Sequence, residues 1–296
     1  MLAFNELGNN GRLGNQMFQY AALRGLAAAK GYEWCIPPFT TARIDNYSLA
    51  NCFIMNSVRH ANQYILDQGH APVVVERQFN FDQELFALCP NDVSLHGFFQ
   101  TEKYFKHIDT QIREDFTFHD EILNPCKEMI DSLDEEPIFL HVRRGDPNLV
   151  DARGFKWSYT QCSSQHPPQP VEYYEKALTY FPEDKPVIVC SDSPEWVKEQ
   201  SFFSDDRFFI SEPEDKYPDG SYTPYVDLCL MSLCSGAIIA NSSLSWWGAW
   251  LQNDKGKVVA PDPWFGPAYA HYNMKDMIPQ RWMKIFNDPS PVTPEA

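Results

Sequence analysis

The segment HVRRGD, residues 141–146, brings two adjacent guanidinium groups to the end of an apolar, strand-like run. A guanidinium fork donates two parallel hydrogen bonds, a geometry that suits the oxygens of a phosphate. Because successive side chains of a strand alternate between its faces, we expect Arg143 or Arg144 to meet an anion and the other to pair with Asp146. His141 shares this strand end and is the histidine that we single out. A purely structural Arg–Asp network is the alternative interpretation.

A second candidate anion site lies in NSSLSWWGAWL, residues 241–251, which follows an apolar run and opens a predicted helix. Ser242, Ser243 and Ser245 therefore fall at a helix N-terminus, where free backbone N–H groups and the positive end of the helix dipole favour a phosphate. Ordinary helix capping by a serine is the alternative. We expect most of the tryptophans in this segment to pack in the core.

A glycine-containing turn opens GRLGNQMFQYAAL, residues 11–23, and precedes the first predicted helix. Gly11 and Gly14 allow the backbone to approach a ligand closely. The turn has neither the glycine spacing of a dinucleotide fingerprint nor the lysine of a P-loop, which excludes a dinucleotide dehydrogenase. Arg12 and Asn15 stand where the helix opens, so we predict that they serve a bound anion or sugar.

Two further acidic positions are candidates for ligand contact. In CSDSPEW, residues 190–196, Ser191 and Asp192 come directly after a predicted strand, where a ligand pocket would lie. The alternative is that Ser193 only caps the next helix. Asp227 is a lone carboxylate on an otherwise apolar helix, and it can accept from the N1–H and amino group of guanine. It can equally be a buried acid whose hydrogen bonds are satisfied.

The elements that must position these residues form a regular pattern after residue 136. Apolar strands and helices alternate there, which is typical of parallel βαβ units that bind ligands beyond the carboxyl ends of their strands. We place the domain boundary so that residues 1–134 and 135–296 form two domains. The predicted strands are 2–6, 33–38, 93–99, 137–142, 185–192, 207–212, 235–241 and 257–262, and the predicted helices are 16–30, 121–133, 171–181, 193–202, 224–234 and 242–252. Residues 40–92 show no clear pattern.

The composition limits the partners. Acidic residues outnumber basic ones by 40 to 24, for a formal charge of −16, so neither nucleic acid nor an anionic membrane surface is an expected partner. The first ten residues lack a basic segment followed by an apolar run, and no apolar stretch is long enough to span a bilayer. We therefore expect a cytoplasmic protein without a transmembrane segment, and leave peripheral membrane association open.

The spacing of potential ligands indicates no metal site. The eight cysteines form no CxxC pair, the histidines form no HExxH motif, and no Asp-x-Asp pair occurs. We therefore expect no bound metal, and we expect most cysteines to be reduced and buried.

Taken together, GRLGNQMFQYAAL, HVRRGD, CSD-x-x-EW and D-x-x-L-M-S-x-C followed by IIANSSLSWWGAWL resemble glycosyltransferase family 11, the α-1,2-fucosyltransferases, over residues 4–265. The resemblance implies an α/β, GT-B-like fold with two Rossmann-like domains facing across a cleft. Residues 1–134 would then lie on the acceptor side and residues 135–296 would bind a GDP-sugar. It also implies inverting transfer of L-fucose from GDP-β-L-fucose to the 2-hydroxyl of a terminal galactose in an oligosaccharide, without a metal or other cofactor.

The resemblance also implies roles for particular residues. In α-1,6- and protein O-fucosyltransferases an arginine of this motif binds the β-phosphate, which points to Arg143 and then Arg144. Asp146 is our first candidate for the general base and Asp151 the second, while Pro147 stands where an aromatic residue often follows the aspartate. The other donor contacts that the resemblance implies are Asn15, Arg12, Asp227, Ser242 and Ser243.

Two alternatives stay open at this stage. One is another GDP-sugar-dependent transferase, such as a protein O-fucosyltransferase. The other is a non-catalytic glycan-binding protein that uses its tryptophans as sugar platforms. The paired arginines and the serine-rich helix start argue against the second alternative, because a lectin needs no diphosphate site.

Overall fold

The protein is described here by a computed structural model that covers residues 1–39, 48–55, 72–145, 163–212, 223–252 and 256–287. The chain divides into two compact units, residues 1–119 with 272–279, and residues 120–271 with 280–296. This division differs from the predicted boundary at residue 134. Residues 120–134 belong to the second unit because the helix at 120–131 packs against the helix at 225–233.

The first unit contains a four-stranded parallel sheet with the order β2-β1-β4-β3. Its long helix, α1, begins three residues before its predicted start and ends at Gly31, which adopts the left-handed conformation (φ 65°) typical of a helix C-terminus. The elements are β1 (Leu2–Ala3), α1 (Leu13–Lys30), β2 (Trp34–Cys35), α2 (Leu49–Cys52), β3 (Val73–Val75), α3 (Gln83–Leu88), β4 (Val93–His96) and α4 (Asp109–Asp115), with short 3₁₀ turns at Glu102–Tyr104 and Lys106–Ile108.

The second unit contains a six-stranded parallel sheet with the order β10-β9-β8-β5-β6-β7. The predicted alternation of strands and helices is confirmed, whereas the last strand was not predicted. The elements are α5 (Asp120–Asp131), β5 (Ile138–Val142), α6 (Val171–Leu178), β6 (Val187–Ser191), α7 (Pro194–Glu199), β7 (Phe208–Ile210), α8 (Tyr225–Leu233), β8 (Ala237–Ile238), α9 (Ser243–Leu251), β9 (Val258–Asp262) and β10 (Met283–Phe286), with 3₁₀ turns at Ser201–Phe203 and Pro267–Tyr269.

The central strands β5 and β6 of this sheet are buried along their whole length, as expected for parallel strands covered on both faces. Trp246, Trp247 and Trp250 are at most 1% exposed and pack against one another with ring centroids 5.1 to 6.5 Å apart. The prediction that these tryptophans pack in the core is confirmed.

Two further findings concern the described part of the chain. Each cysteine in it is a free, buried thiol, as predicted for most cysteines. No described helix combines the length and the apolar character that a membrane crossing requires.

Candidate active site

Three adjacent strands of the second unit, β8, β5 and β6, run parallel, so their carboxyl ends lie at one edge of the sheet. We call this the arginine edge. Arg143 follows β5 directly, Asp192 follows β6, and Ser242 lies shortly after β8 at the start of α9. The two stretches near residues 143 and 243 are therefore neighbours on the edge where open α/β sheets bind ligands.

Asp192 holds the loop that carries the arginines. Its carboxylate accepts hydrogen bonds from Arg143 Nη1 at 2.6 Å, from the backbone N–H of Arg144 at 3.0 Å and from that of Gly145 at 2.7 Å. The Ser193 hydroxyl also joins the two loops by donating to Gly145 O at 3.0 Å. Asp192 therefore fixes Arg143 by a charge-assisted contact, while the Arg143 side chain stays 29% exposed.

The two arginines have different partners, as strand alternation predicts. Arg144 lies over the ring of Trp196 on α7, with its guanidinium carbon 4.0 Å from the ring centroid, a cation–π geometry. Burial raises the pKa of the fully buried Tyr174, while the charge of Arg144 lowers it and that of Asp192 raises it. Arg144 is thus held by an aromatic side chain and Arg143 by a carboxylate.

His141 is buried at the end of β5 and is 2% exposed. Its pKa is lowered to about 3, chiefly by burial; the charge of Asp192 raises the pKa and that of Arg143 lowers it. The imidazole is therefore neutral at physiological pH. Its Nδ1 has no hydrogen-bond partner within the described residues.

His166 is a residue of this edge that the sequence analysis did not find. Its ring packs edge-on against Phe265 and Tyr269, with centroid distances of 5.2 and 5.9 Å. Its pKa is lowered to about 4, chiefly by burial and then by the positive charge of Arg143. No local motif marks His166, since only the folded chain brings it near Arg143.

The serines at the start of α9 divide into three cases. Ser242 caps the helix, because its Oγ accepts from Leu244 N at 3.3 Å. Ser245 is fully buried and donates to the carbonyl groups of Ala240 and Ser242 at 3.4 and 3.3 Å. Ser243 is partly exposed at the first helical position. The capping alternative therefore holds for Ser242, at a helix end that also suits an anion.

Asp227 lies on α8, which packs against β5 and β6, and is 5% exposed. Ser211, directly after β7, donates from its hydroxyl to Asp227 Oδ1 at 2.6 Å. The pKa of Asp227 is raised to about 7, chiefly by burial; the hydrogen bond from Ser211 lowers the pKa and the charge of Asp192 raises it. The hydroxyl of Ser191, by contrast, accepts from the backbone N–H of Ser193 at 3.0 Å. Ser211 was not identified from the sequence.

The first unit has its own carboxyl edge, which we call the amide edge. Arg12 stands exposed at the N-cap of α1, and Asn15 lies in the first turn of that helix. Gln100, shortly after β4, donates from Nε2 to Asn15 Oδ1 at 2.7 Å. Gly11 is required here, because it has a φ of 86° and an added Cβ would lie 2.1 Å from Asn15 Nδ2.

The structure thus brings most of the predicted site residues to two strand edges, one in each unit. Arg12 and Asn15 lie on the amide edge. Asp146 and Asp151, the candidate general bases, lie outside the described residues. The predicted residues on or beside the arginine edge are His141, Arg143, Arg144, Ser191, Asp192, Asp227, Ser242, Ser243 and Ser245.

A parallel α/β unit with a fixed guanidinium and a helix N-terminus at neighbouring strand ends has the arrangement in which open α/β folds bind anionic ligands. The family model of glycosyl transferase family 11 matches residues 3–285. The chain therefore belongs to glycosyl transferase family 11 and is a glycosyltransferase.

Curated relatives and solved structures agree with this assignment. The chain is 30% identical to an α-1,2-colitosyltransferase of Escherichia coli, over 93% of this chain and 96% of that protein. It is 28% identical to galactoside α-(1,2)-fucosyltransferase 1 of Alouatta caraya, over 82% of this chain and 63% of that protein. The crystal structure of the fucosyltransferase NodZ from Bradyrhizobium aligns with a TM-score of 0.53 at 13% identity, over 83% of this chain and 91% of NodZ. The predicted α/β, GT-B-like fold class is confirmed.

Proposed function

We propose that this protein is an inverting α-1,2-fucosyltransferase that transfers L-fucose from GDP-β-L-fucose to the 2-hydroxyl of a terminal galactose. The pairing of Arg143 with Asp192, at a strand end that neighbours the start of α9, carries the proposal. Two relatives are named for α-1,2 transfer, one of colitose and one of fucose to a galactoside. NodZ is named an α-1,6-fucosyltransferase, and its crystals have been soaked with GDP-fucose.

In this mechanism the negative charge that develops on the departing GDP is stabilised by the arginine edge. Arg143 donates to the β-phosphate, and the first turn of α9 with the Ser243 hydroxyl donates to further phosphate oxygens. Because Asp192 fixes Arg143, little reorganisation is needed during the reaction. Arg144, fixed by Trp196, supports the same loop, and neutral His141 adds no charge to it.

Guanine would be recognised by Asp227. The N1–H and amino group of the base are two donors that would stabilise the ionised carboxylate, in competition with the burial that raises its pKa to about 7. Ser211 would hold the carboxylate in place. Ser191 and Ser245, which are buried and bonded internally, would shape the pocket rather than touch the donor.

The acceptor hydroxyl requires a proton acceptor in an inverting displacement. Asp146 is our first candidate and Asp151 the second, both close to Arg143 in sequence and both outside the described residues. We propose that Arg12 and Asn15 of the amide edge, which lie at the start of α1, contact the donor. No metal is proposed, because Arg143 and the helix start supply the positive charge.

Product analysis tests this function. Purified protein is incubated with GDP-fucose and a panel of galactose-terminated oligosaccharides, acceptor peptides and unrelated glycans, and products are identified by mass spectrometry and linkage analysis. We expect α-1,2-fucosylated galactosides, with equal rates in excess EDTA. Transfer only to peptides supports a protein O-fucosyltransferase instead. Glycan binding without transfer from any GDP-sugar contradicts an enzymatic role, and loss of activity in EDTA that Mn²⁺ restores contradicts metal-free transfer.

A second candidate function, colitosyl transfer, is favoured by the 30% identity to an α-1,2-colitosyltransferase. Colitose is L-fucose without its 3-hydroxyl. A site that hydrogen-bonds this hydroxyl rejects the sugar that lacks it, because the bonding groups are left unpaired. Comparing kcat/KM for the GDP-activated forms of both sugars decides between the two donors, and a preference for the colitose form would replace fucose in our proposal.

A further inference from the structure

The amide edge contains a partly buried acid, Glu76, that the proposed mechanism does not use. It follows β3, and its backbone N–H donates to His96 O at 2.8 Å. Its Oε2 accepts from the backbone N–H groups of Phe98 and Phe99 at 2.7 and 3.0 Å. Its Oε1 is shielded from solvent and has no hydrogen-bond partner within the described residues. Both backbone groups that donate to the Glu76 carboxyl group therefore belong to one turn of the chain.

The turn that Glu76 holds, at residues 97–99, has an unusual backbone. Gly97 has a φ of 150° and Phe99 has a φ of 53°. Residues with a Cβ rarely adopt positive φ values such as these. The Phe99 ring is fully buried and meets the rings of Phe4 and Tyr104 edge-on, with centroids 6.0 and 5.2 Å away. An added Cβ at Gly97 would lie 2.4 Å from Glu76 Cβ. The carboxyl group and the buried ring together keep this turn in place.

The same turn is fastened to the segment that leads into α1. Gln100, the next residue, donates to Asn15 Oδ1 at 2.7 Å. The fully buried Gln19 donates from Nε2 to Gly97 O and to Asn10 O, both at 3.1 Å. A continuous chain of contacts therefore runs from the Glu76 carboxyl through the turn to the Asn15 side chain.

We propose that Glu76 is a positioning residue for sugar transfer, which fixes the turn at 97–99 so that Gln100 holds the Asn15 side chain in its working orientation. This inference rests on the proposed function, because it takes Asn15 as a donor contact. A misplaced substrate-facing group can lower the rate by about 100-fold for a shift of 1 Å. Glu76 acts through other residues and touches no substrate itself.

Three variants test whether the acceptor oxygen of residue 76 matters. Glu76→Ala removes both contacts to the turn, and we expect kcat/KM to fall about tenfold or more. Glu76→Gln keeps an amide oxygen for the two backbone N–H groups, and we expect it to recover at least about half of the wild-type value. Glu84→Ala is the matched control, because Glu84 is a 66% exposed acid in the same unit, and its ion-pair partner within the described residues is the exposed Arg77.

A double-mutant cycle separates positioning from general structural support. In an Asn15→Ala background we expect Glu76→Ala to cost less than about twofold, since the group through which it acts is gone. Full additivity overturns the inference, as does a folded Glu76→Ala variant with wild-type kcat/KM. If Glu76→Ala does not fold, Gln100→Ala breaks the same chain of contacts and is expected to be non-additive with Asn15→Ala. Wild-type kcat/KM in Gln100→Ala overturns the inference too.

The proposed function and this inference fail in different ways. A wild-type protein that transfers no sugar from a GDP-activated donor contradicts the proposed function. A wild-type protein that transfers fucose while the Glu76 and Gln100 variants match it contradicts only the positioning role.

Discussion

The two units place polar groups at the same position, the carboxyl edge of a parallel sheet, but they fix them in different ways. On the arginine edge a carboxylate, Asp192, holds the charged Arg143. On the amide edge Gln100 and Asn15 bond through their neutral side-chain amides, and the Glu76 carboxyl group holds the turn that precedes Gln100. The arginine edge is therefore organised around an arginine–aspartate pair, and the amide edge around a turn held by a carboxyl group and a hydrogen bond between two amides.

Each edge also contains one carboxyl group whose pKa is raised to about 7, chiefly by loss of solvent, the partly buried Glu76 in the first unit and the buried Asp227 in the second. Their compensation differs. Glu76 accepts from two backbone N–H groups, whereas Asp227 accepts from the hydroxyl of Ser211, and hydrogen bonds from Ser211 and Cys190 lower its pKa against the effect of burial. The carboxyl group of Glu76 is thus compensated by the backbone of one turn, and that of Asp227 by side chains of neighbouring elements.

The largest expected effect comes from removing the charged group of the arginine edge. We expect Arg143→Ala to lower kcat by about 10²–10³, because a preorganised donor to developing charge supplies this much. Steady-state kinetics with GDP-fucose and an accepted galactoside measures it. Arg207→Ala is the control, since Arg207 lies at the opposite, amino edge of the same sheet, just before β7. An Arg143→Ala variant that is folded and turns over at the wild-type rate would remove the arginine edge from the mechanism.

A smaller effect is expected when Arg143 stays but loses its anchor. Asp192→Asn keeps the side-chain shape and removes the charge that accepts from Arg143 and from two backbone N–H groups. We expect kcat to fall about tenfold to 100-fold, because the guanidinium is no longer held in place. The exposed Asp184→Asn serves as a matched control. Equal kcat values for Asp192→Asn and wild type would mean that preorganisation by Asp192 does not contribute.

The sequence predicted the arginine edge better than the amide edge, for a physical reason. Each of its three main residues, Arg143, Asp192 and Ser242, follows a strongly apolar strand. The local pattern, together with the tendency of open α/β sheets to bind ligands beyond the carboxyl ends of their strands, is therefore enough to place them together. Asp192 was expected near a ligand, but its pairing with Arg143 required the order of the strands in the sheet. The sequence analysis gave helix capping as the alternative role of Ser242, and Ser242 does cap α9.

The amide edge depends on contacts between distant segments, which no local pattern reveals. Glu76 lies in the stretch 40–92, where the short β3 gave no periodic signal, and it bonds to a turn that follows another strand. The left-handed Phe99 is held by tertiary packing against local preference. His166 was missed for the same reason, because its place near Arg143 follows from the fold alone.

The smallest expected effect is on stability, and it comes from the raised pKa of Asp227 on the arginine edge. An unfolded aspartate has a pKa of about 3.9, whereas folded Asp227 has a pKa of about 7. Between these values the folded state keeps a proton that the unfolded state has lost. Stability therefore falls as pH rises through this window, and the contribution becomes constant above about pH 7.

Asp227→Asn removes this proton and keeps an oxygen that can accept from Ser211. We expect the free energy of unfolding to decrease between pH 5 and pH 8 by on the order of 2 kcal/mol more in wild type than in the variant. Urea unfolding at both pH values measures the difference, and the contributions of Glu76, His141 and His166 cancel because both proteins contain them. An exposed acid changed in the same way, Asp184→Asn, should show no such difference. If the variant instead loses stability relative to wild type as pH rises, Asp227 is ionised in the folded protein, and its carboxylate has a stronger partner than Ser211.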